Sequence, residues 1–175
     1  MYEIRIHSRG GQGGVTAARL LALSAIHDGK YATACPFYGA ERRGAPIVSF
    51  VRIDDKPIKV YSQIKKPDLV VVLDASVMDV VDVLQGLKTG GKVLVNSTHK
   101  KEFGSFSSGF VDLTGIALKE NLVVAGAPIL NTPVLGALAK MDIVSVNSAK
   151  KAIREMFSDE RNVKAAEAAY RELVL

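Results

Sequence analysis

Polar and apolar residues alternate at the start of the chain. In Tyr2-Glu3-Ile4-Arg5-Ile6-His7 every second side chain is polar, the period of a strand with one face on a core. Glu3, Arg5 and His7 mark the other face as one that a partner can cover. Arg9-Gly10-Gly11-Gln12-Gly13-Gly14 follows, and the period then changes: residues 15–26 carry apolar side chains at helical spacing. The opening therefore predicts strand, glycine loop, helix. Asp28-Gly29-Lys30 closes that helix. The uncharged residues 31–40, with Cys35-Pro36 and Tyr38-Gly39, predict a short strand running into an ordered loop.

Residues 46–53 are rich in β-branched side chains. Asp54-Asp55-Lys56-Pro57 then separates them from Ile58-Lys59-Val60-Tyr61, which predicts a hairpin between the two segments. Leu69-Val70-Val71-Val72-Leu73 is a continuous apolar run, the signature of a central parallel strand buried on both faces. A helix is expected over 77–87, a strand over 92–96, a loop over 97–109, and a resumed sheet near Phe110-Val111-Asp112. Thr114 is placed to cap a short helix through Leu118. Residues 122–125 read as a strand, and Pro133 opens a helix at its permitted first turn. Helices over 148–157 and 162–173 complete the chain. The expected architecture is α/β: one three-layer α/β/α domain over residues 1–175, with a mostly parallel sheet and an antiparallel hairpin element, and no repeat or linker.

Composition narrows the function. The chain is 48% hydrophobic but only 6% aromatic and has no Trp, so its core is aliphatic, as a helix-covered sheet requires. Its single cysteine, Cys35, cannot form an internal disulfide or supply the four thiolates of an iron–sulfur cluster. It reads as a small apolar side chain rather than a nucleophile. With a strand pattern at the N-terminus in place of a secretory signal, a cytoplasmic location is expected. The uncharged run from Asn121 to Ala139 is interrupted by Gly126, Pro128 and Pro133, so it reads as strand, turn and helix rather than a membrane span. Net charge is +5, but the basic residues are scattered and not interleaved with aromatics, so neither nucleic acid nor membrane is an expected partner. His7, His27 and His99 stand alone in sequence, without metal-ligand spacing.

The glycine loop carries the first candidate chemistry. Gly10, Gly11, Gly13 and Gly14 between a strand and a helix allow backbone N–H groups to converge on an anion. The dinucleotide fingerprint fails because Thr16 occupies the third glycine position and no acidic residue ends the next strand. The P-loop fails because no Lys-Ser or Lys-Thr follows. Anion binding and simple close helix–strand packing both remain open. Asp74 and Asp112, at expected strand C-termini, fit either a ligand edge or helix capping.

The second constellation is Pro36-Phe37-Tyr38-Gly39-Ala40-Glu41-Arg42-Arg43-Gly44-Ala45-Pro46. Two guanidinium groups beside aromatics suit the fixing of carboxylates or phosphates, or salt bridges to a neighbouring subunit. Gly10-Gly11-Gln12-Gly13 with Val15-Thr16-Ala17, paired with Tyr38-Gly39-x-Glu41-Arg42-Arg43-Gly44-Ala45-Pro46, resembles the gamma subunits of 2-oxoacid:ferredoxin oxidoreductases. The likeness continues through Arg52-Ile53-Asp54-x-Lys56-Pro57-Ile58, Pro67-Asp68 and Asn131-Thr132-Pro133-Val134-Leu135-Gly136-Ala137 to the closing helix. Ser8 departs from the glycine that relatives often have.

The resemblance implies a non-catalytic subunit of a pyruvate-type complex with alpha, beta and delta partners. Such a complex oxidatively decarboxylates a 2-oxoacid with coenzyme A to acyl-CoA, CO2 and reduced ferredoxin. It implies that thiamine diphosphate, Mg and 4Fe-4S clusters lie on other subunits, and the chain indeed lacks a Gly-Asp-Gly motif. It points to Gly10, Gly11, Gln12, Gly13, Thr16, Tyr38, Glu41, Arg42 and Arg43 as residues toward coenzyme A or the subunit contact. A free-standing nucleotide-binding regulator using the glycine loop is the competing reading.

Overall fold

The computed structural model describes residues 1–37 and 44–175. Its strands are β1 (Tyr2–Arg9), β2 (Tyr31–Phe37), β3 (Pro46–Asp54), β4 (Leu69–Val72), β5 (Lys92–Asn96) and β6 (Ser107–Val111), with a small pair β7 (Val123–Val124) and β8 (Ala127–Pro128). Helices are α1 (Gly14–His27), α2 (Leu113–Lys119), α3 (Pro133–Lys140), α4 (Val146–Met156) and α5 (Arg161–Glu172). The main sheet runs β2-β3-β1-β4-β5-β6. The β1–β4, β4–β5 and β5–β6 pairings are parallel, while β3 runs antiparallel to both of its neighbours. The expected mixed α/β class, mostly parallel with an antiparallel element, is what forms.

The period of two along the central strands sorts their side chains into two cores. Leu69 and Val71 join Ile4, Ile6 and Leu94 in a core shared with α1 to α5. Val70 and Val72 join Val93 and Val95 in a second core with Val77, Val83, Leu87, Phe103 and Phe110. Every residue of β4 is buried, as its unbroken apolar run requires. All five helices therefore lie on one face. The opposite layer is a 3-10 turn over Ala75–Asp79 followed by irregular chain.

This corrects four expectations. Residues 77–87 are not a helix. The Arg5 guanidinium takes the Val83 and Gln85 carbonyls at 2.8 and 2.7 Å, and Gly86 sits at φ 74°, a left-handed conformation that breaks an α-helix. Residues 58–61 are not the second strand of a hairpin: β3 pairs with β2 and β1 instead, and Arg52 binds the Val60 and Ser62 carbonyls at 3.4 and 2.7 Å. The cap of α2 is Asp112, which accepts from Gly115 N at 2.7 Å, and Thr114 lies inside the helix. The polar face of β1 is covered by the chain itself: Arg5 is 8% and His7 6% exposed.

Candidate functional site at the end of beta-1

From β1 the chain moves to the β2–β3 side of the sheet, and from β4 it moves to the β5–β6 side. The crevice beyond the C-terminal ends of β1 and β4 is thus the topological switch point, where open α/β sheets place their ligands. The glycine loop and the Asp74–Ser76 turn both lie there.

The loop is held by a compact polar network. Arg9 N donates to Gln12 Oε1 at 2.7 Å, and Gln12 Nε2 donates to Asp74 Oδ2 at 2.7 Å. Arg9 Nε donates to Ser76 Oγ at 2.8 Å and lies 3.9 Å from Asp74 Oδ2. Asp74 also accepts from Ser76 N and Oγ at 2.9 and 2.6 Å. Partial burial pushes the Asp74 carboxyl upward, but the hydrogen bonds from Ser76 and Gln12, with the Arg9 charge, outweigh it and hold the group below the usual carboxylate range. Asp74 thus caps the 3-10 turn and anchors the loop at once.

The glycines divide by role. Gly13, at φ 86°, is the residue before α1, and no side chain caps that helix. A Cβ on Gly13 would meet Asn131 Cβ at 3.0 Å, and one on Gly14 would collide with the Ser8 hydroxyl. Close packing therefore explains these two. Gly11, at φ 96°, is exposed and faces open space. Thr16, half-buried, is the third residue of α1, so its N–H lies in the first turn, which has no intrahelical acceptor. Asn131 packs against Gly13, is 6% exposed, and keeps Oδ1 without a partner among the described residues. Leu130 N donates to Gln12 O at 3.1 Å.

Tyr38, Glu41, Arg42 and Arg43 lie outside the described residues. The downstream flank of their motif is described, and it touches the loop directly. Gly10 N donates to Ala45 O at 3.0 Å, Gly44 N to Gly10 O at 3.2 Å, and Arg9 Nη1 to Gly44 O at 2.8 Å. The two sequence motifs thus meet at Gly10 and Gly44. Beside them, a groove of about 510 Å³ is lined by Ser76, Met78, Ser97, His99, Lys100 and Lys101.

Sequence reasoning missed Arg9, Ser76 and Asn131. The one available signal was Gln12, three residues beyond Arg9 at the end of β1. His27 contacts Glu155 Oε2 at 2.8 Å between α1 and α4, whereas the exposed His99 lines the groove, its backbone N–H donating to Ser97 Oγ at 3.0 Å. Among the described residues no group of three or more His, Cys, Asp and Glu could hold a metal ion, and the lone Cys35 is half-buried on β2. An iron–sulfur cluster does not fit this chain. No helix among them is long and apolar enough to cross a membrane.

The family model of pyruvate ferredoxin/flavodoxin oxidoreductase matches residues 3–172. The chain is 50% identical to the pyruvate/ketoisovalerate oxidoreductases common subunit gamma of Thermococcus kodakarensis, over 100% of this chain and 98% of that relative. It is 48% identical to pyruvate synthase subunit PorC of Methanocaldococcus jannaschii, over 99% and 98% respectively. The crystal structure of pyruvate oxidoreductase subunit PORC from Thermotoga maritima superposes with a TM-score of 0.85 at 36% identity, covering 99% of this chain and 97% of that one. With likeness spanning both motifs, the sheet and the closing helices, the chain belongs to the pyruvate ferredoxin/flavodoxin oxidoreductase family, in its gamma-subunit branch.

Proposed function

We propose that this gamma chain completes the coenzyme A and subunit-docking surfaces of a cytoplasmic complex with alpha, beta and delta subunits. The complex oxidatively decarboxylates pyruvate or a related 2-oxoacid to acyl-CoA and CO2 and reduces ferredoxin. Thiamine diphosphate, Mg and the 4Fe-4S clusters reside on the partners, which supply electron and carbanion chemistry that this chain's residues cannot.

The observation that carries the coenzyme role is the junction of Gly10 with Gly44 and Ala45 at the switch point. It brings the flank of the Glu41-Arg42-Arg43 motif to the glycine loop, where an uncapped helix start favours negative charge. Lys100 and Lys101, with Asp79, line the groove that also holds Ser76, and the two lysines outweigh the one carboxylate in its field.

The test is steady-state kinetics of the intact complex carrying Arg43→Ala. Loss of one charge-assisted contact costs about 1.5–3 kcal/mol, roughly ten- to hundredfold in affinity. The coenzyme A KM should rise by that factor while formation of the thiamine-bound intermediate is unchanged. A docking role alone predicts loss of the chain from the complex, with every step declining together. An assembled variant with unchanged coenzyme A dependence overturns both roles. Purification of the native chain as a lone nucleotide-binding oligomer would instead favour a free-standing regulator.

A further inference from the structure

Residues 55–63 form a stretch of irregular, almost entirely exposed chain after β3. Exposed irregular chain is ordinarily loosely held, because water satisfies its backbone. Here a buried cation fixes it. Arg52, 2% exposed, is paired with Glu3 at 2.9 Å and donates to the carbonyls of Val60 and Ser62. Those carbonyls flank Tyr61, which is 73% exposed, and Val60 beside it is 43% exposed. The strap thus holds an aromatic side chain outward on a pre-ordered backbone, which lowers the ordering cost of binding.

Charge specifies what it meets. From Lys56 to Lys66 there are four lysines, Lys56, Lys59, Lys65 and Lys66, and no acidic residue. All four are exposed and none forms an ion pair among the described residues. The acids flanking the segment are engaged elsewhere, Asp54 by the N-terminal ammonium at 2.9 Å, Asp55 by Lys30 at 3.8 Å and Asp68 by Lys88 at 2.8 Å. Glu3 offsets the Arg52 charge, so the field outside the strap is that of the lysines.

We propose that the 56–66 strap is a docking element for a fellow subunit, with Tyr61 seated in an apolar depression ringed by carboxylates. This rests on the gamma-subunit reading and adds to it the surface and its chemistry. An exposed aromatic anchor on a rigid backbone within a basic rim is the arrangement in which one residue dominates affinity and the rim sets approach and salt dependence.

The experiment uses the co-purified complex, with wild-type chain, Tyr61→Ala and the double variant Lys59→Glu/Lys66→Glu. Dissociation on dilution is followed at several salt concentrations, and amide exchange is compared between the free chain and the complex. Tyr61→Ala should dissociate at a concentration at least about tenfold higher. The charge reversal should weaken assembly and flatten its salt dependence, and residues 56–66 should exchange more slowly in the wild-type complex than in the free chain. Unchanged thermal unfolding of the free variants shows that folding is not the cause. If wild type assembles and the variants match it, the docking element is wrong and the subunit reading stands. If wild type assembles with no subunit, both fall. Tyr61-dependent binding to acidic lipid vesicles or self-association, with the complex unaffected, also overturns the proposal.

Discussion

The two faces of the sheet are built on different physics. On the helical face, aliphatic side chains from β1, β3 and β4 meet five helices, and the approach is close enough that a Cβ on Gly136 of α3 would run into the Ala166 carbonyl of α5. On the other face, buried Arg5 and Arg52 reach from β1 and β3 to main-chain carbonyls of irregular segments. One layer is held by packing, while the other adds charge-assisted hydrogen bonds to a smaller apolar cluster around Val70, Val72, Val93 and Val95. Packed aliphatic helices are sensitive to volume change but not to pH, whereas a layer built over buried ionisable groups responds to pH and tolerates irregular sequence.

The largest effect should come from Gly136→Ala. The added methyl meets backbone, which cannot rotate away, so α3 and α5 must separate at a cost of about 3 kcal/mol. Thermal unfolding should show this loss equally at pH 8 and pH 5. An unshifted midpoint would mean that the helices are less tightly joined than the contact implies.

The opposite face supplies the pH dependence. Burial, reinforced by the Arg5 charge, lowers the His7 imidazole from 6.5 to about 4. The folded state keeps His7 neutral where the unfolded chain takes up a proton. Its contribution is therefore complete above pH 6.5 and is lost as pH falls from 6.5 toward about 4. At full extent that amounts to about 3 kcal/mol, reached only near the lower limit. Chemical denaturation across this window should show the slope in the native chain and its reduction in His7→Leu. Equal slopes would remove His7 as the cause.

The smallest effect belongs to the switch-point crevice. Asp74→Ala releases Gln12 and Ser76 together, with an expected loss of about 1.5 kcal/mol. Because the folded carboxyl is held below its ordinary range, this contribution is present at neutral pH and is lost as pH falls from the ordinary carboxylate value through the lowered folded-state one. The difference between wild type and Asp74→Ala should thus narrow in acid. A constant difference would assign the residue's role to packing.

Residue pattern alone determined β1, the glycine loop, α1, the buried β4 and the closing helices. Each rests on a local period or on a turn residue whose backbone preference acts within a few positions. Tertiary structure decided the segments over 58–61 and 77–87, and in both the cause is a buried arginine. Arg52 and Arg5 take carbonyls that a hairpin ladder or a helix needs for its own hydrogen bonds. The donors lie eight or more residues away from Val60 and seventy-eight from Val83, beyond any local signal. The site divides in the same way. Gly11 and Gly13 were legible because left-handed backbone favours glycine, but Arg9, Ser76 and Asn131 were not. Arg9 and Ser76 meet only once β1 and β4 lie side by side, and Asn131 reaches Gly13 only when the turn before α3 folds onto the loop.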